Sequence, residues 1–141
     1  MRFIDQYFPL IVGVGGLHVD EEELRQMSVG YERYFERGER YSVLTVSPRE
    51  AANLGAKQRR QIATWADSAR VKEMSKKLCV GSASVVANPL TRGAMTAILW
   101  LWTPAAPLRL VPNVAEGLDY CFERLRLAEL RLPKPEDSIR R

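Results

Sequence analysis

Histidine, cysteine and long apolar runs are all scarce in this chain. Its 141 residues include one histidine, His18, and two cysteines, Cys79 and Cys121. Two cysteines cannot build the disulfide framework of a small secreted scaffold. One imidazole and no Cys-x-x-Cys pair make a zinc site unexpected, and no metal or cofactor is assigned. There is no glycine-rich loop ending in Gly-Lys-Ser/Thr and no Gly-x-Ser-x-Gly elbow, so neither phosphate cradling nor a hydrolase nucleophile is signalled. The longest mainly apolar segments, 78–87 and 93–102, fall well short of the ~20 residues needed to cross a bilayer. Asp5 interrupts the N-terminus before an apolar region can form, and no small-residue cleavage site follows, so no signal peptide is expected. The expectation is a cytoplasmic protein without transmembrane segments, its cysteines reduced and buried as small hydrophobes.

What is present fits one domain. Apolar residues make up 46%, which is enough for a core at 16.0 kDa. That domain is placed over residues 1–132, with a flexible tail over 133–141 that has no core pattern. The net charge of +4 is uneven. Residues 1–47 carry five basic and eight acidic side chains, net −3, whereas 48–77 carry eight basic and three acidic, net +5. A basic segment can meet acidic partners, but its commonest use is a solvated helix face. No clean stripe and no stacking aromatics accompany it, so nucleic acid is not an expected partner.

Strand-like and helical patterns alternate along the chain. A strand over 7–14 ends at Gly15-Gly16, with 2–6 as a short preceding strand or an extension and Pro9 marking an edge or bend. Asp20 and Glu23 form a capping box for a helix with stripe Leu24, Met27, Tyr31, Tyr34 and Phe35, stopped by Gly38. A strand over 41–46 follows, then one helix over about 57–75 with Ile62, Trp65, Ala66, Ala69 and Met74 inward. A strand over 78–87 leads to Asn88-Pro89, an N-cap followed by an N1 proline. The helix from 89 to about 102 is apolar nearly all round, which calls for deep burial or a covering partner. Pro104 and Pro107 bracket a turn before a short strand over 108–111. Asn113 and Glu116 cap the last helix, whose stripe is Leu118, Cys121, Phe122, Leu125 and Ala128. The order predicts an α/β fold with a mostly parallel four- or five-stranded sheet flanked by about four helices. In such folds ligands gather beyond the carboxyl ends of the strands.

That edge supplies the candidate residues. His18, Ser47 and Asn88 form a candidate ligand edge. The run 13–18 opens like a dinucleotide fingerprint but has His18 at its sixth position, and Asp20 would repel a pyrophosphate. His18 is the one histidine available as a base, and Ser47 and Asp20 are its nearest triad candidates. Arg92, alone in the first turn of an apolar helix, suits pairing with a carboxylate or carbonyl, or an anion contact. Trp100 and Trp102 cannot both face one side, so Trp102 is assigned to an interface. Lys57, Arg59 and Arg60 sit in a helix's first turn against its dipole, a mild cost that marks them as contact residues.

The order of elements, Gln58-Arg-Arg-Gln-Ile-Ala-Thr-Trp65, Ala83-Ser-Val-Val-Ala-Asn88 and Pro89-Leu-Thr-Arg-Gly-Ala-Met-Thr-Ala-Ile-Leu-Trp100 resemble bacterial STAS-like small α/β proteins. These are related in fold to anti-sigma-factor antagonists and to the lipid-binding CRAL-TRIO class, and the resemblance covers about residues 7–128. It implies a non-enzymatic regulatory or scaffold module working through a protein partner or as a homodimer. In antagonists of this fold a serine or threonine at a helix start is phosphorylated; the nearest position is Ser47, although Ser47-Pro48-Arg49 departs from their Asp-Ser signature. The second reading is a carrier of a small apolar or anionic ligand near His18, Ser47 and Arg92. The third is a small hydrolase-like enzyme using His18.

Overall fold

The computed structural model describes residues 1–15, 20–47, 56–101 and 104–140, the side chains of 56, 59, 98, 100 and 101 excepted. His18 and Trp102 lie outside the described residues, as does the side chain of Arg59. The described chain runs β1 (Arg2–Ile4), β2 (Leu10–Val14), α1 (Glu21–Arg37), β3 (Tyr41–Val46), α2 (Ala56–Ala66) and α3 (Ala69–Leu78). It continues with β4 (Cys79–Val85), α4 (Pro89–Leu101), β5 (Leu108–Val111), α5 (Val114–Leu127) and α6 (Glu136–Ile139).

The five strands form one sheet in sequential order, with β1 antiparallel to β2 and every later pair parallel. Right-handed crossovers that advance in one direction leave their helices on a single face. Accordingly α1 and α3 share one cluster with Ile11, Tyr41, Val43 and Cys79. The helix after the last strand is free of that constraint, and α5 packs on the opposite face. There Leu118, Cys121, Phe122 and Leu125 close over Leu10, Leu44, Ala83 and Val111.

Local chemistry sets the helix ends where the capping boxes place them. Asp20 Oδ1 accepts from Glu23 N at 2.8 Å, and Gly38 ends α1 in the left-handed region at φ 71°. Asn113 Oδ1 accepts from Glu116 N at 2.9 Å to start α5. Each cap of this kind is worth about 1 kcal/mol.

Two expectations are corrected. The single helix over 57–75 is two, because Ser68 adopts extended backbone angles and its hydroxyl donates to Trp65 O at 2.7 Å. A serine hydroxyl competing for a helix carbonyl is a local alternative to continuing the helix. The break, together with α6, raises the described helices to six. The strand over 7–14 begins only at Leu10, because residues 6–9 form a turn. α6 lies in the segment 133–141 that the sequence sets apart from the domain, and its Ile139 is buried in the α5-side cluster. Arg126–Glu136 and Arg140–Asp119 ion pairs flank it.

Candidate functional site

Among the described residues, no side-chain hydrogen bond or ion pair joins the site residues singled out in the sequence to one another. Asn88 caps α4, its Oδ1 accepting from Leu90 N at 2.9 Å and Thr91 N at 3.3 Å. Arg92 turns back from the same helix turn and donates from Nη1 to Val86 O at 2.8 Å. Its guanidinium thereby satisfies a carbonyl at the end of β4. Lys57 is exposed, with Nζ 3.8 Å from Glu21 Oε1 at the start of α1. Arg60 is exposed on α2, and Ser47 is exposed just past β3. Ser47 Oγ stands 3.0 Å from where a Cβ on Gly15 would lie, so the two residues sit side by side just past the ends of β3 and β2. A contact between Ser47 and His18 lies outside the described residues.

Two other features emerge. The first is α4. Its sequence is the most apolar of the helices, yet Leu90 is 84% exposed and Met95 41% exposed. Gly93, Ala94 and Ala97 are exposed as well. The helix rests mainly on β5, and its own first-turn cap and the Arg92 tie hold its start in place.

The second feature is a groove of about 600 Å³ on the α1/α3 face. Tyr41, Val43, Cys79, Ser82 and Leu108 line it from the sheet, Tyr31 from α1, Trp65 from α2, and Pro104, Ala105 and Ala106 from the segment before β5. The ring centroids of Tyr31 and Trp65 are 5.2 Å apart at 49°. The Tyr31 phenol bonds Thr45, and burial holds it well above the usual tyrosine range. Burial acts likewise on Tyr41 and pushes the Cys79 thiol up to about 11. These groups are therefore neutral at physiological pH, and the groove floor carries no reactive thiolate.

Charge sits at the groove's rim on α3. Lys72 pairs with Asp67 at 2.8 Å, Arg70 pairs with Glu32, and Glu73 lines the groove beside Lys76. Lys76 has no ion pair among the described residues. No group of three or more His, Cys, Asp or Glu suited to hold a metal ion occurs among the described residues. None of the described helices is long and apolar enough to cross a membrane.

Sequence patterning located Tyr31 and Trp65 but assigned both to core stripes. The lining residues Pro104, Ala105 and Ala106 read only as part of a turn. The available signal was the pair Ser82 and Ser84, small polar residues on the strand face where α/β cores place branched apolar ones.

No family model, no curated protein and no solved structure matches the chain.

Proposed function

We propose that the protein is a non-enzymatic STAS-like regulatory or scaffold module that docks a protein partner, in the simplest case a second copy of itself, through α4. The observation that carries this reading is the exposure of Leu90 and Met95 on the most apolar helix of the chain. A helix without a polar face needs cover, and a partner surface supplies it. The capped and tied first turn supports the same reading, because a pre-ordered helix loses less conformational entropy on docking.

Sedimentation equilibrium on the wild type, Leu90→Lys and Met95→Lys tests it. The wild type is expected to show a dimer mass at micromolar concentration. Both variants should fall toward the monomer mass with thermal midpoints unchanged. A wild type that stays monomeric across that range removes self-docking. Equal masses for the three proteins remove α4 as the contact.

A further inference from the structure

We propose that the cleft between β1 and α1 binds a phosphate monoester, its phosphoryl oxygens held by Arg2, Arg33 and Arg37. The site lies apart from α4 and shares no residue with the docking surface proposed there.

Residues 1–47 are acidic in sum, with eight carboxylates against five basic side chains. The fold sorts these charges. Four of the five basic residues, Arg2, Arg25, Arg33 and Arg37, line one cleft of about 760 Å³, whereas Asp5 alone of the eight acids does. Carboxylates from outside the lining engage two of the four. Glu22 accepts from Arg25 Nε at 2.9 Å and Nη2 at 2.6 Å, and Glu39 accepts from Arg37 Nε at 2.7 Å. Glu23 likewise matches the Met1 ammonium. Arg2 and Arg33 have no ion pair among the described residues. Two guanidiniums against the one Asp5 carboxylate leave the cleft net positive.

The lining is also rich in donors and short of free acceptors. Guanidiniums donate and never accept. Asp5 Oδ2 already accepts from the Tyr34 hydroxyl at 3.2 Å, and Gln26 Oε1 accepts from the Met1 ammonium at 2.9 Å. A ligand must therefore bring acceptors and negative charge. Planar guanidiniums match phosphoryl oxygens two at a time, and a phosphate monoester carries nearly two charges at neutral pH where a carboxylate carries one. Arg33 and Arg37 are one helical turn apart, and both stand close enough to the Tyr34 phenol for their charge to favour its ionisation, so the two act on one spot. Arg37 is held in place before any ligand arrives. Its Cζ lies 3.6 Å from the Phe8 ring centroid and Glu39 fixes its Nε, which leaves its Nη groups for phosphoryl oxygens. The volume exceeds that of a bare phosphate ion, so the cleft has room for a small organic body on the ester oxygen.

Titration of the full chain with glycerol 3-phosphate at fixed ionic strength, followed by amide chemical shifts in ¹H–¹⁵N spectra, tests the site. Saturable shifts are expected on residues 2–5 and 25–37, and none with glycerol. Succinate, a dianion without a phosphoryl group, should bind more weakly. Arg33→Gln alters an exposed side chain in no ion pair and should weaken glycerol 3-phosphate about tenfold, the size of one charge-assisted contact. Arg40→Gln removes the one basic side chain of residues 1–47 that lies outside the cleft and should leave the affinity unchanged. Affinity should rise between about pH 5 and about pH 7.5, as the ester takes its second charge near pH ~6. Phosphatidate carries the same monoester, and sedimentation with phosphatidylcholine vesicles, with and without phosphatidate, separates the two sources. Pelleting that needs phosphatidate, without shifts from the soluble ester, assigns a lipid headgroup; shifts without pelleting assign a soluble ester. Neither response, shifts that do not saturate, equal losses from Arg33→Gln and Arg40→Gln, or equal affinity for succinate overturn the proposal.

Discussion

The two faces of the sheet are built to different standards. Under α5, Leu10, Leu44, Cys121, Phe122 and Leu125 are all but fully buried, and α6 adds Ile139 at the rim. Polar groups on that side are satisfied at short range. Ser42 Oγ donates to Gly81 O at 2.7 Å where the β3–β4 register shifts, and Arg124 Nε donates to Val80 O at 2.8 Å. The opposite face holds an aromatic cluster of Phe3, Tyr31, Tyr34 and Tyr41 under α1, but past α3 its packing gives way to the groove and to an α4 with exposed apolar side chains. A close-packed layer specifies and stabilises a fold. A looser layer beside it keeps surface for recognition, and its elements open at lower cost. The difference places stability on one side of the sheet and opportunity for binding on the other.

The largest test of that division is Phe122→Ala. Phe122 is 1% exposed, with Arg140 above its ring at 5.1 Å, so truncation should cost about 3–5 kcal/mol through lost transfer energy and a residual cavity. Urea denaturation reads this directly. A loss below about 1 kcal/mol would mean the α5 face is not the close-packed layer described.

The next effect is pH dependence, because one buried thiol lies on each face. Burial pushes both Cys79 and Cys121 up to about 11, against ~8.5 for an exposed thiol. The folded state then holds protons that the unfolded chain releases, so stability is complete below about pH 8.5 and falls as pH rises toward 11. Each thiol should contribute about 2 kcal/mol of that loss. Tyr34, raised to about 12 by burial and by the neighbouring Asp5 carboxylate, extends the decline to higher pH. Urea midpoints at about pH 8 and pH 10.5, compared with a Cys79→Ala, Cys121→Ala variant, separate the thiols from the tyrosine. A wild-type midpoint that does not move between those two values defeats the assignment.

How legible these faces are in the sequence depends on what sets each element. Strands 41–46 and 108–111, the Asp20 and Asn113 caps and the stop at Gly38 all follow from local chemistry, and the sequence carries them fully. The α5 stripe is equally plain, since its four core residues repeat at spacings of three, one and three. The break at Ser68 hinges on one hydroxyl choosing a carbonyl within a pattern that is otherwise helical on both sides. Ile139 is a lone apolar residue in a charged tail, and its burial is settled by a surface that only the folded α5 side creates. The groove is harder still. It is formed by what α3 and the 104–107 turn leave uncovered, and the shape of uncovered space has no periodicity along a chain.

The smallest effects come from a pair of glycines in helices on the two sides, and they should have opposite signs. Gly117 lies in α5, where an added Cβ would come 2.4 Å from Leu44 Cδ1 and 3.3 Å from Val111 Cγ2. Leu44 is fully buried and has no free volume into which to retreat, so Gly117→Ala should destabilise by about 1–3 kcal/mol despite the better helix propensity of alanine. Gly93 lies in α4, where an added Cβ meets nothing within 4 Å. There the propensity acts alone, and Gly93→Ala should stabilise the protein by about 0.5–1 kcal/mol. The comparison is sharper than either value because the chemical change is identical and only its surroundings differ. If Gly93→Ala also destabilises, with its mass in sedimentation unchanged from wild type, α4 is packed against its own chain more closely than its exposed Leu90 and Met95 imply. If both substitutions stabilise, Leu44 can move aside, and the α5 layer has the slack that its burial otherwise denies.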